Sequence, residues 1–202
     1  TSVQAGDIIR VKAGETLALE GNKTEWVLDE LVLEDGATLT IPAALAQIQI
    51  DAQKAQFGKN SRIVAQGAAG TTGGNGADAT AAPELCKDGS AGTRGAHGGV
   101  GGDGVAVNLT VRIAQLDSLQ IDTQGGSGGT GGNGGAGSAG GDYDTCSAPR
   151  GGDGGAGGDG GDGGNGGHVR VFYTLLPESG LTGSVSDRIS INAGGGKGGA
   201  AG

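Results

Sequence analysis

The sequence predicts an all-β and irregular fold: short β-strands, arranged as a β-helix or a sandwich, combined with a bundle of polyglycine II helices of the polyproline II type, and essentially no α-helix. Three observations lead there. Apolar residues recur at every second position in short stretches, the period of a half-buried strand rather than of a helix. Glycine recurs at every third position through long runs, as in "PRGGDGGAGGDGGDGGNGGHVRVFY" (149–173). Finally, 49 glycines against one Trp, two Tyr and two Phe leave too little bulky side chain for an ordinary globular core.

Residues 1–66 form the first part. The stretches "DIIRV", "ETLALE", "WVLDELVLEDGATLTIP" and "IQID" alternate apolar with polar residues and are separated by Gly, Asp or Asn. They predict a strand-rich region of β-helix or sandwich type. Trp26, close to Leu28, reads as a packing residue rather than a platform for a sugar.

Residues 67–202 contain a repeat. "SRIVAQG", "LQIDTQG" and "ISINAGG" each place an isoleucine (Ile63, Ile121, Ile191), a small residue two positions later, and a glycine two after that (Gly67, Gly125, Gly195). The first two then run out in glycine triplets, pass a cysteine-bearing turn and return in triplets. This predicts hairpins at 67–104 and 125–167 and a partial one at 195–202. The returning runs feed strands within 105–124 and 168–194. Val105, Val107, Leu109, Val111 and Ile113 share one strand face; Val169, Val171, Tyr173 and Leu175 share another.

Collagen is excluded by composition, because a triple helix needs abundant proline inside its triplets, and Pro42, Pro83, Pro149 and Pro177 all lie outside them. A flexible linker is the plain alternative, since ordering such a chain costs about 1–2 kcal/mol per residue. Order is favoured by a period that does not slip, by the out-and-back pairing and by direct continuation into strands. A three-residue helix places the X residues of Gly-Gly-X on one ridge and leaves two bare glycine ridges. Its N–H and C=O groups must find partners on neighbouring helices, which bare ridges allow to approach. Residues 89–104 begin as Gly-X-X with one bare ridge and are expected at an edge, with 125–135 and 151–167 further inside.

These Gly-Gly-X arms joined by variable turns resemble the polyglycine II bundles of phage tail-fibre adhesins. The strand-plus-triplet layout resembles secreted bacterial glycine-rich proteins described as collagen-like. The resemblance covers 67–202 and implies that the turns "ADATAAPELCKD" and "DYDTCSAP" act as binding loops. Glycine-rich polyproline II bundles with disulfides are also similar to some antifreeze proteins. The ridge Ser127, Thr130, Asn133, Ala136 is small and regular, though the Asp-rich run beside it would make a poor ice face.

No catalytic constellation is present, so neither an enzyme nor a cofactor is expected. His97 and His168 have no nearby nucleophile or paired carboxylate and read as solvated. Gly-x-Gly-x-x-Gly arises automatically in such runs, with no following helix to hold a phosphate. Asp153, Asp159 and Asp162 are weak calcium candidates: ridge positions lie about 9 Å apart, whereas calcium ligands stand about 2.3–2.6 Å from the ion. Only a site between helices could chelate, and a solvated acidic face is the favoured reading. Cys86 and Cys146, the two cysteines, read as a disulfide stapling adjacent hairpin tips, which points to an oxidising compartment. Tyr143, flanked by Asp142 and Asp144, is the best single candidate for touching a ligand, with a plain exposed turn the favoured reading.

Thirteen basic against twenty-two acidic residues give a net charge of −9, unfavourable for nucleic acid and for anionic membranes. No apolar stretch approaches the about 20 residues of a membrane span, and a chain starting at Thr1 reads as a mature product after signal removal. The expected protein is therefore a secreted structural subunit of a filament or matrix. Its self-assembly would run head to tail through an edge at Gly194, Gly195, Gly196, Gly198, Gly199 and Gly202, covered by the N-terminal segment of a neighbour. The alternatives are an adhesin tip recognising a cell-surface glycan or protein, and an ice-binding protein.

Overall fold

Alternation builds ten strands in the structure, a computed structural model that describes residues 7–80 and 84–202. The strands are β1 (Asp7–Val11), β2 (Thr16–Ala18), β3 (Glu25–Leu33), β4 (Thr38–Thr40), β5 (Gln47–Phe57), β6 (Ser61–Val64), β7 (Ala106–Leu116), β8 (Leu119–Asp122), β9 (Val169–Leu175) and β10 (Ile189–Asn192). Among the described residues, helix is limited to two short 3-10 turns, Pro177–Ser179 and Val185–Arg188. Residues 1–6 of the expected N-terminal assembly segment, and 81–83 of the first expected binding turn, lie outside the described residues.

Successive strands alternate between two five-stranded sheets, ordered β1-β3-β5-β7-β9 and β10-β8-β6-β4-β2, and every pairing is parallel. One odd and one even strand make a coil, and five coils stack. Of the two architectures expected for the strands, this is the β-helix. Parallel pairing needs a crossover between neighbours, and here each crossover passes through the opposite sheet.

Chain division follows the strands rather than residue 66. One compact unit takes in residues up to Ala68, Gly102–Gly126 and Asn165–Gly195; the other comprises Ala69–Gly101, Ser127–Gly164 and Gly196–Gly202. The expected N-terminal domain 1–66 is therefore completed by the strands of 105–124 and 168–194, because β5 pairs with β7 and β6 with β8.

The strand unit is held by apolar ladders. Leu17, Leu39, Ile63, Ile121 and Ile191 stand in register across the even sheet. Ile9, Leu31, Ala55, Ile113 and Leu175 do the same across the odd one. Ladder positions in the middle coils are sealed from solvent, and every residue of the hydrophobic core lies in this unit. Val105, Val107, Leu109, Val111 and Ile113 are buried on one face, as expected. Trp26 packs half-buried against the core, with the Lys23 ammonium 4.1 Å over its ring.

Candidate functional site

The glycine arms and the outer strands are the two candidate surfaces. The arms run outward at 67–80, 125–141 and 193–202 and return at 87–104 and 149–167, with neither helix nor strand along them. Their contacts repeat every three residues. Gly70, Gly73 and Gly76 donate N–H bonds to the carbonyls of Ser127, Thr130 and Asn133, at 2.7–2.8 Å. Gly128 and Gly131 donate to Lys197 and Ala200, linking the outgoing arms in parallel. Returning arms are linked the same way: Gly92, Gly95, Gly98 and Gly101 donate to Asp153, Ala156, Asp159 and Asp162. Antiparallel bonds join the two sets, as from Gly129 to Gly99 and from Gly161 to Gly129, both at 2.8 Å.

Glycine is needed here for space. Among the described residues the glycines with positive φ are Gly14, Gly21, Gly36, Gly180 and Gly183, all outside the triplets. In the arms, a Cβ built on Gly98, Gly129, Gly132, Gly135, Gly158 or Gly161 would fall on a neighbouring backbone carbonyl, well inside the 3.0 Å that real Cβ atoms keep. The arm 125–141 bonds to all four others and its Gly129, Gly132 and Gly135 are buried. The arms 149–167 and 87–104 each bond to three others.

The X residues have a task that periodicity did not disclose. Five X-position N–H groups are accepted by the X side chain of the parallel neighbouring arm. Asn75 and Asp78 Oδ1 accept from Asn133 and Ala136 (3.0 and 2.6 Å). Asp88 and Asp103 Oδ1 accept from Arg150 and Asn165, each at 2.7 Å, and His97 Nδ1 accepts from Asp159 at 3.1 Å. His97 is thus bonded rather than merely solvated, and it stands 3.1 Å from the Asp159 carboxylate, which Arg94 also approaches at 3.4 Å. Asp153, Asp159 and Asp162 do not converge, and among the described residues no three His, Cys, Asp or Glu side chains are grouped to hold a metal.

At the hairpin tips Cys86 and Cys146 form the disulfide, with Cα atoms 6.0 Å apart. The Cys86 N–H donates to Asp142 C=O at 2.9 Å, joining the two turns. Tyr143 is exposed between exposed Asp142 and Asp144, and Leu85 is exposed beside Cys86.

The expected assembly edge is already bonded within the chain. Gly196, Gly199 and Gly202 donate to Gly164, Gly161 and Gly158, and the Gly194 carbonyl accepts from Gly125. A Cβ on Gly194 or Gly198 would meet only an ordinary contact at 3.8 Å, whereas one on Gly199 or Gly202 would fall on the carbonyl of Gly129 or Gly132. Exposed apolar residues collect instead on the outermost strands of the strand unit: Ile8 and Leu17 on β1 and β2, and Phe172, Tyr173, Leu175 and Ile191 on β9 and β10. Val27 is the one other large apolar strand residue exposed among the described residues. A groove of about 530 Å³ beside β9 is lined by Asp51, Gln53, Thr110, Arg112, Phe172 and Thr174.

No known family and no curated protein matches the chain. Among solved structures, it is similar to the nine polyproline type II helical bundle springtail antifreeze protein from Granisotoma rainieri, with 26% identity over 68% of this chain and 91% of that one. The TM-score is 0.15, too low to carry a structural argument. No helix among the described residues is long and apolar enough to cross a membrane.

Proposed function

We propose that the protein is a secreted structural subunit that polymerises head to tail through the two outer edges of its strand unit, its arms packing as polyglycine II helices. One observation carries the assembly: among the described residues the exposed large apolar strand residues, Val27 apart, sit on the two outermost coils, where a stacked parallel sheet has unpaired backbone groups. A stacked repeat that stays monomeric covers its end coils with polar surface. Here Ile191 is 52% exposed and Leu17 39%, although their ladder partners Leu39, Ile63 and Ile121 are fully buried. Joining unlike ends does not close and gives filaments. The disulfide supports an oxidising, extracellular setting. Three-residue periodicity and the absence of positive φ in the triplets support the left-handed polyglycine II form.

Electron microscopy of the purified protein tests this reading. Five coils at a strand spacing of about 4.8 Å give filaments with an axial repeat of about 24 Å. Ile191→Lys removes an apolar contact of about 1.5–3 kcal/mol and raises the critical concentration at least about tenfold. Particles that stay monomeric at high concentration would defeat the proposal.

Ice binding is a second reading, favoured by the separation of the arms. Exposed Ser127, Thr130, Asn133 and Ala136 belong to an outgoing arm bonded in parallel to the one carrying Ala69 and Thr72, whereas the Asp-rich ridge belongs to a returning arm. The acidic run is therefore not on the same set of arms. Freezing hysteresis, lost in Thr130→Lys, is the expected result; its absence in the unaltered protein removes this reading.

A further inference from the structure

We infer the register of the subunit contact, resting on the polymer reading above: the first coil of one copy continues the ladders of the last coil of another, with Leu17 on Ile191, Ile9 on Leu175 and Asp7 beside Tyr173. The partner is a second copy of this chain. Three ladders agree on this register, one in the even sheet and two in the odd. The even-sheet ladder ends in Leu17 and Ile191, two aliphatic residues of similar size, both part-exposed. One odd-sheet ladder ends in Ile9 and Leu175, again aliphatic on aliphatic.

The third ladder is the most selective. It runs Asp7, Leu28, Ala52, Val111, Tyr173, apolar in its middle and polar in its two end members. Asp7 is exposed and Tyr173 is 47% exposed. Within one subunit these two are at opposite edges of the sheet and cannot meet. Across a junction in register they become neighbours, and the Tyr173 hydroxyl donates to the Asp7 carboxylate. An acid and a phenol closing the two ends of one apolar ladder are thereby paired instead of left unpartnered.

The same register accounts for the groove beside β9. Ile8 pairs with Glu30 and Glu30 with Lys54 on the outward face; beyond the register shift in β5 that face continues with Arg112, which bonds Gln53 and pairs with Thr174. Ile8 of the incoming copy is then set next to Thr174, over the groove that Thr174, Arg112 and Phe172 line. Its outward exposure, unusual for isoleucine on a solvent-facing strand surface, is removed by the contact. A shift of one residue would turn the inward side chains of β1 outward, so neighbouring registers are strongly disfavoured.

Engineered cysteine pairs test the register, because the native cysteines are tied to each other. Leu17→Cys with Ile191→Cys in one chain is expected to oxidise into a ladder of covalent oligomers on a non-reducing gel, and either change alone to remain monomeric. Ile9→Cys with Leu175→Cys is the second pair, should the first disturb folding. Tyr173→Phe is expected to raise the critical concentration several-fold, and Asp7→Asn to do so without adding to it. Dimers from a single-cysteine variant would mean like edges meet, and would overturn the register. Filaments of the unaltered protein without cross-linking by either pair would also overturn it while leaving the polymer standing; absence of filaments overturns both.

Discussion

Gly129→Ala lowers the stability of the arms by about 3 kcal/mol, whereas Thr130→Ala, one residue further on, changes it by less than about 0.5 kcal/mol. The difference comes from backbone on every side of Gly129. Its N–H donates to Gly99, its carbonyl accepts from Gly161, and a Cβ would fall on the carbonyl of Thr71. None of these atoms is the end of a flexible side chain, so relief requires moving a whole arm and stretching bonds that repeat every three residues. Thr130 points into solvent. Urea denaturation followed by amide exchange across 127–141 separates the two cases. Equal effects at the two positions would mean that the arms are not close-packed.

Reduction of the Cys86–Cys146 bond, or its replacement by two serines, costs the arms about 4 kcal/mol, the loop-closure value for a sequence separation of 60. The loss is confined to the arm unit. Every core residue belongs to the strand unit, and the disulfide belongs to the other. Trp26 fluorescence therefore reports a transition that reduction leaves in place, while exchange at 127–141 accelerates. A fall of both transitions together would show that the two units unfold as one.

Much of the strand unit was legible because period-two alternation is a local signal. "DIIRV" is β1 itself, and the buried face of β7 was readable residue by residue. The second half of β5 was harder: in "AQKAQF" the buried positions are Ala52, Ala55 and Phe57, and small residues mark a face weakly. Nothing local distinguishes a β-helix from a sandwich, since the choice lies in which strand each run pairs with. The disulfide was legible because the two cysteines each fall in the turn of a glycine hairpin. The acceptor role of Asn75, Asp78, Asp88, His97 and Asp103 was not, because it depends on which arm lies alongside and at what offset. For the same reason the glycines of 194–202 looked unpartnered in sequence, although three of them bond to the returning arm 149–167.

Confinement of the core to one unit has a thermodynamic consequence. Heat-capacity change on unfolding comes mainly from exposing apolar surface and is reduced by exposing peptide groups. The strand unit, with its sealed ladders, follows the usual domed dependence of stability on temperature. The arm unit exposes chiefly peptide groups when it opens, so its dome is shallow and its stability weakens little on cooling. A chain built this way keeps its glycine half assembled at temperatures where purely hydrophobic folds begin to loosen.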